Sequence, residues 1–432
     1  MIKKGSLTGL LLFGMFFGAG NLIFPPQLGL ESGQNFWPAI GGFVLSGVGI
    51  AILTLIIGTL NPKGYIDEIS KKIAPWFAVA YLVALYLSIG PFFAIPRTAT
   101  TAFSVGIEPM LPAGSHTIWL LGFTLVYFAL AYLIALNPSK ILDSIGRYLT
   151  PIFALLIVVL IVLGAAKYGS TAPQGATGGY AASAFGAGFL QGYNTLDALA
   201  SVAFSVVAVT TLNQLGFKNK KEYISTIWIV GILVALGFSV LYIGLAFLGN
   251  HFPLDLANLP KGANVGASVL SSATQAIFGP MAQIFLAIMV TVTCFTTTAG
   301  LIVSTGEFFH NTFSKVSYKV YATIFTLVGF AIANLGLNAI IQYSVPALEI
   351  LYPITITIVM IVMVNRFLPL SKPGMQLTIA VVTLIAFASI LGRQFKLTAI
   401  LNLVNALPFA QASLPWLLPA LVGILLSLLL PN

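Results

Sequence analysis

Twelve apolar runs, each long enough to cross a bilayer, fill nearly the whole chain and leave it few structural options. They lie near 7–30, 36–60, 76–101, 116–136, 148–166, 185–211, 224–249, 281–305, 318–335, 338–365, 376–392 and 413–430. About 20 apolar residues in a helix span the hydrocarbon layer. Lipid offers no hydrogen-bond partner to a free N–H or C=O, so such runs must be helices. Charged residues make up 7% of the 432 positions, against about 25% in soluble domains. The expected fold class is therefore an all-α polytopic membrane protein, one transmembrane domain over 1–432 with about twelve helices. The first run lacks a small-residue cleavage site after a short apolar core and reads as a retained span.

Charge supplies orientation. With the N-terminus inside, one set of loops holds Lys3, Lys4, Lys63, Lys71, Lys72, Lys140, Arg147, Lys218, Lys220, Lys221, Lys315, Lys319, Arg366 and Lys372. The other side has only Arg97, Lys167, Lys261, Arg393 and Lys396. That bias obeys the positive-inside rule and predicts a multi-pass membrane protein with cytoplasmic termini. The net charge of +9 is spread over many loops, so the bilayer is the expected partner and nucleic acid is not. Cys294, the single cysteine, excludes an intramolecular disulfide. Nothing in the sequence reports the oligomeric state.

Span 1 is written against its own helix. It carries Gly14, Gly18, Gly20, Pro25 and Pro26 within thirteen residues, and Gly and Pro cost about 1 and about 3 kcal/mol in a helix interior. Pro25 and Pro26 would leave the carbonyls of Asn21 and Leu22 free. Unwound backbone at membrane depth is tolerated where it lines a cavity, the device by which transporters hold ions and substrate. The same residues also suit a kinked helix with small residues at a packing contact.

Twelve spans with an inside N-terminus make span 6 run opposite to span 1. A five-span repeat, about 7–166 and about 185–365, is then inverted, with 376–430 as two peripheral helices. Span 6 answers span 1 with Gly186, Gly188 and Gly192 followed by Tyr193-Asn194-Thr195-Leu196-Asp197. Gly169–Gly179 reads as a flexible outside connection. The apolar stretch Val265–Phe278 suits an external lid helix or an ordinary surface loop, and 61–75 a short interfacial helix.

Ionisable residues at membrane depth are expensive and point to function. Asp197 near the centre of span 6, Glu349 near the centre of span 10 and Arg97 toward the outer end of span 3 qualify. Each has a structural alternative: a helix cap for Asp197, a bonded interior acid for Glu349, a snorkelling side chain for Arg97. Span 8 carries Thr291, Thr293, Thr296, Thr297 and Thr298, and oxygen ligands suit a hard cation. His-Glu-x-x-His, phosphate-loop and Gly-x-Ser-x-Gly signatures do not occur, so an enzyme is not expected and neither is an organic cofactor. A pore would need charge rings or a selectivity loop, and neither pattern is visible.

Three segments carry a resemblance: Gly14–Gln27, Ile89–Ala99 and Gly192–Asp197. Together they resemble the branched-chain amino acid:cation symporter family of bacteria, over essentially the whole chain. The resemblance implies import of leucine, isoleucine and valine coupled to Na⁺, with Li⁺ or H⁺ as alternatives, on a leucine-transporter-type fold. It implies substrate binding by Gly18, Ala19, Gly20 and Asn21 of span 1 and by Gly192, Tyr193 and Asn194 of span 6. Candidates for an apolar side-chain pocket are Phe16, Phe17, Phe92, Phe93 and Phe204. Gly18-Ala19-Gly20-Asn21 is also similar to the helix 1 break of the neurotransmitter:sodium symporters, where the Asn helps bind sodium. Where those proteins would read Arg-Phe-Pro, this chain has Phe24-Pro25-Pro26, and Arg97 becomes the candidate for the missing arginine's role. Folds of this type also place a cation between helix 1 and helix 8. The matching ligands would be Gly14 and Phe17 with Thr297 and Thr298, or with Thr296 and Thr297.

Overall fold

A computed structural model describes residues 13–14, 16–112, 116–136, 140–214, 220–255, 259 and 262–430. Every regular element among them is helical. Span 1 continues beyond a break as α1 (Ala19–Ser32), and span 2 is α2 (Phe36–Val44) and α3 (Ala51–Thr59) joined through a π-turn at Leu45–Ile50. The amphipathic α4 (Gly64–Lys72) follows, then α5 (Pro75–Leu87) and α6 (Ala94–Ala102), the two parts of span 3. Spans 4 and 5 are α7 (Thr117–Leu136) and α8 (Lys140–Tyr168). Span 6 divides into α9 (Ala184–Tyr193) and α10 (Asp197–Gln214), and span 7 is α11 (Lys220–His251). The stretch that allowed a lid or a loop forms α12 (Val265–Phe278). Spans 8 to 12 are α13 (Met281–Thr312), α14 (Tyr318–Ala333), α15 (Leu337–Asn365), α16 (Lys372–Gln394) and, after the short α17 (Thr398–Asn405), α18 (Leu417–Leu429).

Helix pairing follows a simple rule. Span 1 packs on span 7 and span 2 on span 6; span 3 packs on span 8; span 5 packs on span 7 and span 10 on span 2. Exchanging spans 1–5 with 6–10 maps this set of pairs onto itself, as a pseudo-twofold does. Small residues make the closest contacts. A Cβ on Gly29 or Gly249 would overlap the backbone of the facing α11 or α1, and one on Gly192 would meet the Ser46 hydroxyl. Gly192 is therefore a packing residue between spans 2 and 6, which corrects its expected place in the substrate site.

The prolines of span 1 behave differently from expectation. Pro25 and Pro26 lie inside α1, which runs on to Ser32. Proline's fixed φ is helical, so the helix survives the loss of two hydrogen bonds when neighbours on every side hold it. Both prolines are buried. The break sits one to two turns earlier, where Gly18 is extended (φ −128, ψ −164). On the α4 face, Lys71–Asp67 (2.7 Å) and Lys72–Glu68 (2.5 Å) pair across one turn, and the Lys71 hydrogen bond holds the Asp67 carboxyl below its usual range.

Candidate functional site

Both breaks fall at one depth and face each other. In span 1, Phe17 and Gly18 are non-helical and α1 begins at Ala19. The first amides of a helix have no intrahelical partner. Here the Gly18 N–H donates to Asn21 Oδ1 at 3.3 Å, and the first turn of α1 presents Gly18, Ala19, Gly20 and Asn21 to a cavity. In span 6, α9 ends at Tyr193, and Leu196 takes a left-handed conformation (φ 66) before α10 starts at Asp197. A non-glycine residue there costs on the order of 1–3 kcal/mol, a strain that concentrates at ligand sites. Thr195 bridges the gap: its hydroxyl donates to the Gly192 carbonyl at 2.8 Å and accepts from the Asp197 N–H at 3.4 Å.

Two charged side chains complete the breaks. Asp197 is buried and accepts from Asn21 Nδ2 (3.3 and 3.1 Å) and from the Tyr242 hydroxyl (2.7 Å); Asn21 Nδ2 also donates to Tyr242. Its carboxylate stands at the N-terminus of α10, the positive pole of that helix. Arg97 is 3% exposed, which corrects its expected place near the outer interface. The kink at Gly90 (φ −94, ψ −123), where span 3 passes through a π-turn, carries α6 across the bundle. Arg97 there donates to the carbonyls of Asn194 (2.5 Å) and Thr195 (3.4 Å), and its guanidinium lies 5.3 Å from the Phe24 ring centroid.

The cavity between the breaks has a volume of about 40 Å³, room for a few waters. Its apolar wall is Phe16, Ile89, Ala94, Ala200, Phe204 and Leu301, with Phe16 and Phe204 edge to face at 5.3 Å. Toward α4 lies a larger cavity of about 430 Å³, lined by Tyr86, Val206, Ser304, Glu307 and Asn311 among others.

The structure thus brings together Phe16, Gly18, Ala19, Gly20, Asn21, Arg97, Asp197, Phe204 and Thr297 of the residues singled out from sequence. Others go elsewhere. Phe92 is 41% exposed on the bundle surface; beyond the Gly90–Pro91 kink its side chain leaves the site. Asn194 contributes its carbonyl to Arg97, while its side chain donates to Gln191 at 3.2 Å. Tyr193 stacks on Tyr352 (4.1 Å) and lines a different cavity of about 210 Å³ together with Glu349. Glu349 pairs there with Arg393 of α16. Phe17 sits in an aromatic cluster with Phe13, Phe153 and Phe238, and Gly14 lies one turn before the break.

Of the span 8 threonines singled out from sequence, Thr297 alone lines the cavity, where Thr98 and Thr195 join it from spans 3 and 6. Thr297 stands beside Gly18, where a Cβ would come 3.4 Å from the Thr297 methyl. Thr298 turns away to Thr98 and to the Tyr127 hydroxyl at 2.8 Å. Successive helical residues diverge by about 100°, so adjacent threonines address different neighbours. No cluster of three His, Cys, Asp or Glu side chains occurs among the described residues. A cation here would be held by carbonyls at the end of the first half of span 1 and by Thr297, a donor set suited to a monovalent ion. Sequence reading missed Tyr242 and Thr195. A tyrosine within the long apolar run of span 7 was the available signal.

Comparison with known proteins gives the family and the fold. A profile described as "Branched-chain amino acid transport protein" matches residues 1–432. A putative branched-chain amino acid carrier of Staphylococcus haemolyticus is 40% identical over 434 residues, covering 99% of this chain and 96% of the relative. One of Staphylococcus saprophyticus is 40% identical over 428 residues, covering 98% and 95%. Among solved structures, the nucleobase-cation-symport-1 transporter Mhp1, closed with bromovinylhydantoin bound, superposes with a TM-score of 0.62 at 15% identity over 98% of this chain and 91% of that one. MhsT in complex with L-phenylalanine gives 0.58 at 16% over 98% and 97%. The fold is the leucine-transporter type. With a profile that spans every residue and relatives of this identity along nearly their full length, the chain belongs to the branched-chain amino acid transport protein family, whose members are multi-pass membrane transporters rather than enzymes.

Proposed function

We propose that this protein is a secondary active symporter that imports leucine, isoleucine and valine, driven by Na⁺, into a bacterial cell whose cytoplasm faces α4 and both termini. One observation carries the reading: a cavity with helix N-terminal amides on one side, an aliphatic and aromatic wall facing them, and Arg97, Asp197 and Thr297 at its polar edge. The amides of Ala19 and Gly20, at the positive pole of α1, receive the substrate carboxylate. Phe16, Ile89, Ala200, Phe204 and Leu301 enclose a branched side chain without offering it a hydrogen bond. One methylene in such a pocket is worth only about 1–3 kcal/mol, so all three amino acids share it. Asn21, Asp197 and Tyr242 tie α1 to α10 and α11, so ligand binding at one break is felt at the other. The cation sits between the end of the first half of span 1 and Thr297. The approximately 430 Å³ cavity beyond Leu301 is the release route.

The mechanism is alternating access of the five-span repeats around these breaks, and the bound L-phenylalanine of MhsT supports amino acid recognition on this fold. Uptake of radiolabelled leucine by proteoliposomes tests it. With an inward Na⁺ gradient, leucine accumulates above its outside concentration and unlabelled isoleucine and valine compete. Mere equilibration under every gradient would rule out coupled transport.

A further inference from the structure

We propose that Arg97 is a built-in cation: its guanidinium permanently occupies the negative pole that span 6 offers at its break, leaving one cation position, at span 1, for a mobile ion. The proposal rests on the cation-coupled reading above. A broken helix exposes carbonyls at the C-terminal end of its first half, the equivalent of about half a negative charge. The first half of span 6, α9, presents such an end beside the break of span 1. At the end of α9, the Asn194 and Thr195 carbonyls are both taken by Arg97, through Nη1 and Nη2. The fork of a guanidinium reaches two acceptors at once, which a point charge on a flexible stem does not do as well.

Arg97 is not in place to neutralise a carboxylate by direct pairing. The ion pairs among the described residues do not include it, and its Nε is buried without a partner. Phe24 underlies the guanidinium, and a Cβ added at Gly20 would come 3.2 Å from Nη2 and 3.3 Å from the Asn194 carbonyl. The arginine is therefore clamped between the two breaks. Asp197 answers it at the positive pole of α10, so span 6 balances its own charges. Span 1 carries no charged residue from 7 to 30, so on this proposal its break is left for ligand: the Ala19 and Gly20 amides for a carboxylate, the backbone before Gly18 for one cation. A zwitterion with one Na⁺ then moves one net charge per cycle.

The test uses full-length protein in proteoliposomes and in detergent, as wild type, Arg97→Lys, Arg97→Met and Arg97→Ala. Wild type and Arg97→Lys should show a Hill coefficient for Na⁺ near about 1. Arg97→Ala should rise toward about 2, as a second ion enters the vacated carbonyl site. Added guanidinium, at concentrations far below denaturing ones, should raise the melting temperature of Arg97→Ala and restore part of its leucine uptake. It should leave wild type and the space-filling Arg97→Met unmoved. An Arg97→Ala protein that stays at a Hill coefficient of about 1 and ignores guanidinium would overturn the proposal. Should Arg97→Ala fail to fold, a coefficient near 2 in Arg97→Lys would overturn it equally. Wild-type uptake indifferent to every cation would sink the coupled reading instead, while the guanidinium melting shift still reports what Arg97 does.

Discussion

Asn21, Asp197 and Tyr242 form a closed triangle through Asn21 Nδ2, the Asp197 carboxylate and the Tyr242 hydroxyl, while Asn21 Oδ1 holds the Gly18 N–H. Tyr242 donates to Asp197 at 2.7 Å and accepts from Asn21, so Tyr242→Phe removes one donor and one acceptor together. Leaving buried partners unmatched costs about 1–3 kcal/mol. Leucine affinity of Tyr242→Phe should therefore fall about tenfold in equilibrium binding. Asp197→Asn keeps the shape but loses the charge at the α10 pole, and should reduce Na⁺-driven uptake more than tenfold. The glycines separate in the same way. Gly20 faces Thr195, Arg97 and Asn194 within 3.3 Å of any added Cβ, so Gly20→Leu should abolish leucine binding. Gly18 is extended, with its nearest neighbour at 3.4 Å, and Gly18→Ala should bind within a few-fold of wild type. Thr297→Val should raise the half-saturating Na⁺ concentration several-fold with leucine affinity at saturating Na⁺ little changed. Thr298→Val should act on stability instead, through the lost bonds to Thr98 and Tyr127.

At the scale of elements, the position of each break follows from which residue can give way. Span 1 yields at Gly18, where glycine opens at least cost (φ −128, ψ −164), and not at Pro25–Pro26, whose fixed φ is compatible with the helix that runs on around them. Span 3 yields at Gly90, where the would-be Cβ is already against Thr305, and the kink takes Phe92 out and Arg97 in. α15 and α16 are joined by the Glu349–Arg393 pair at the rim of the approximately 210 Å³ cavity. Arg393 is about half exposed, so the pair is screened. A double-mutant cycle on Glu349→Gln and Arg393→Met should give less than about 1 kcal/mol of coupling, with leucine affinity changed less than about twofold. The stacked Tyr193–Tyr352 rings join α9 to α15 beside that cavity.

For the whole molecule, the larger cavity opens toward α4, and its wall residues continue down α13 from Thr297 and Leu301 to Ser304, Glu307 and Asn311. A cysteine at Ser304 should react with a membrane-impermeant thiol reagent from the α4 side only, and leucine with Na⁺ should slow that reaction. Cys294 is fully buried, so the unmodified protein should stay unlabelled. Reaction from the opposite side would reverse the orientation proposed from the lysine and arginine bias.

Helix content and the depth of the two breaks were legible in the amino-acid order, because lipid forces apolar runs into helices and glycines mark where a helix can open. Gly18 to Asn21, Asp197 and Phe204 could be found for that reason: each signal is local. Arg97 was visible as a costly charge, but its partners were not, since they are backbone carbonyls nearly a hundred positions away and carry no residue-type signature. Tyr242 was hidden for a related cause, being one hydroxyl in an apolar span with meaning only beside Asp197. Rotational register was beyond reach as well. Thr297 and Thr298 are neighbours in the chain and face different helices, and Phe92 leaves the site through a kink three-dimensional packing must hold. The residues thus determined that two helices would break and that Asp197 would stand at one of the breaks. Only the tertiary structure decided which carbonyls those charges would claim, because the pairing depends on how span 3 crosses between the two broken helices.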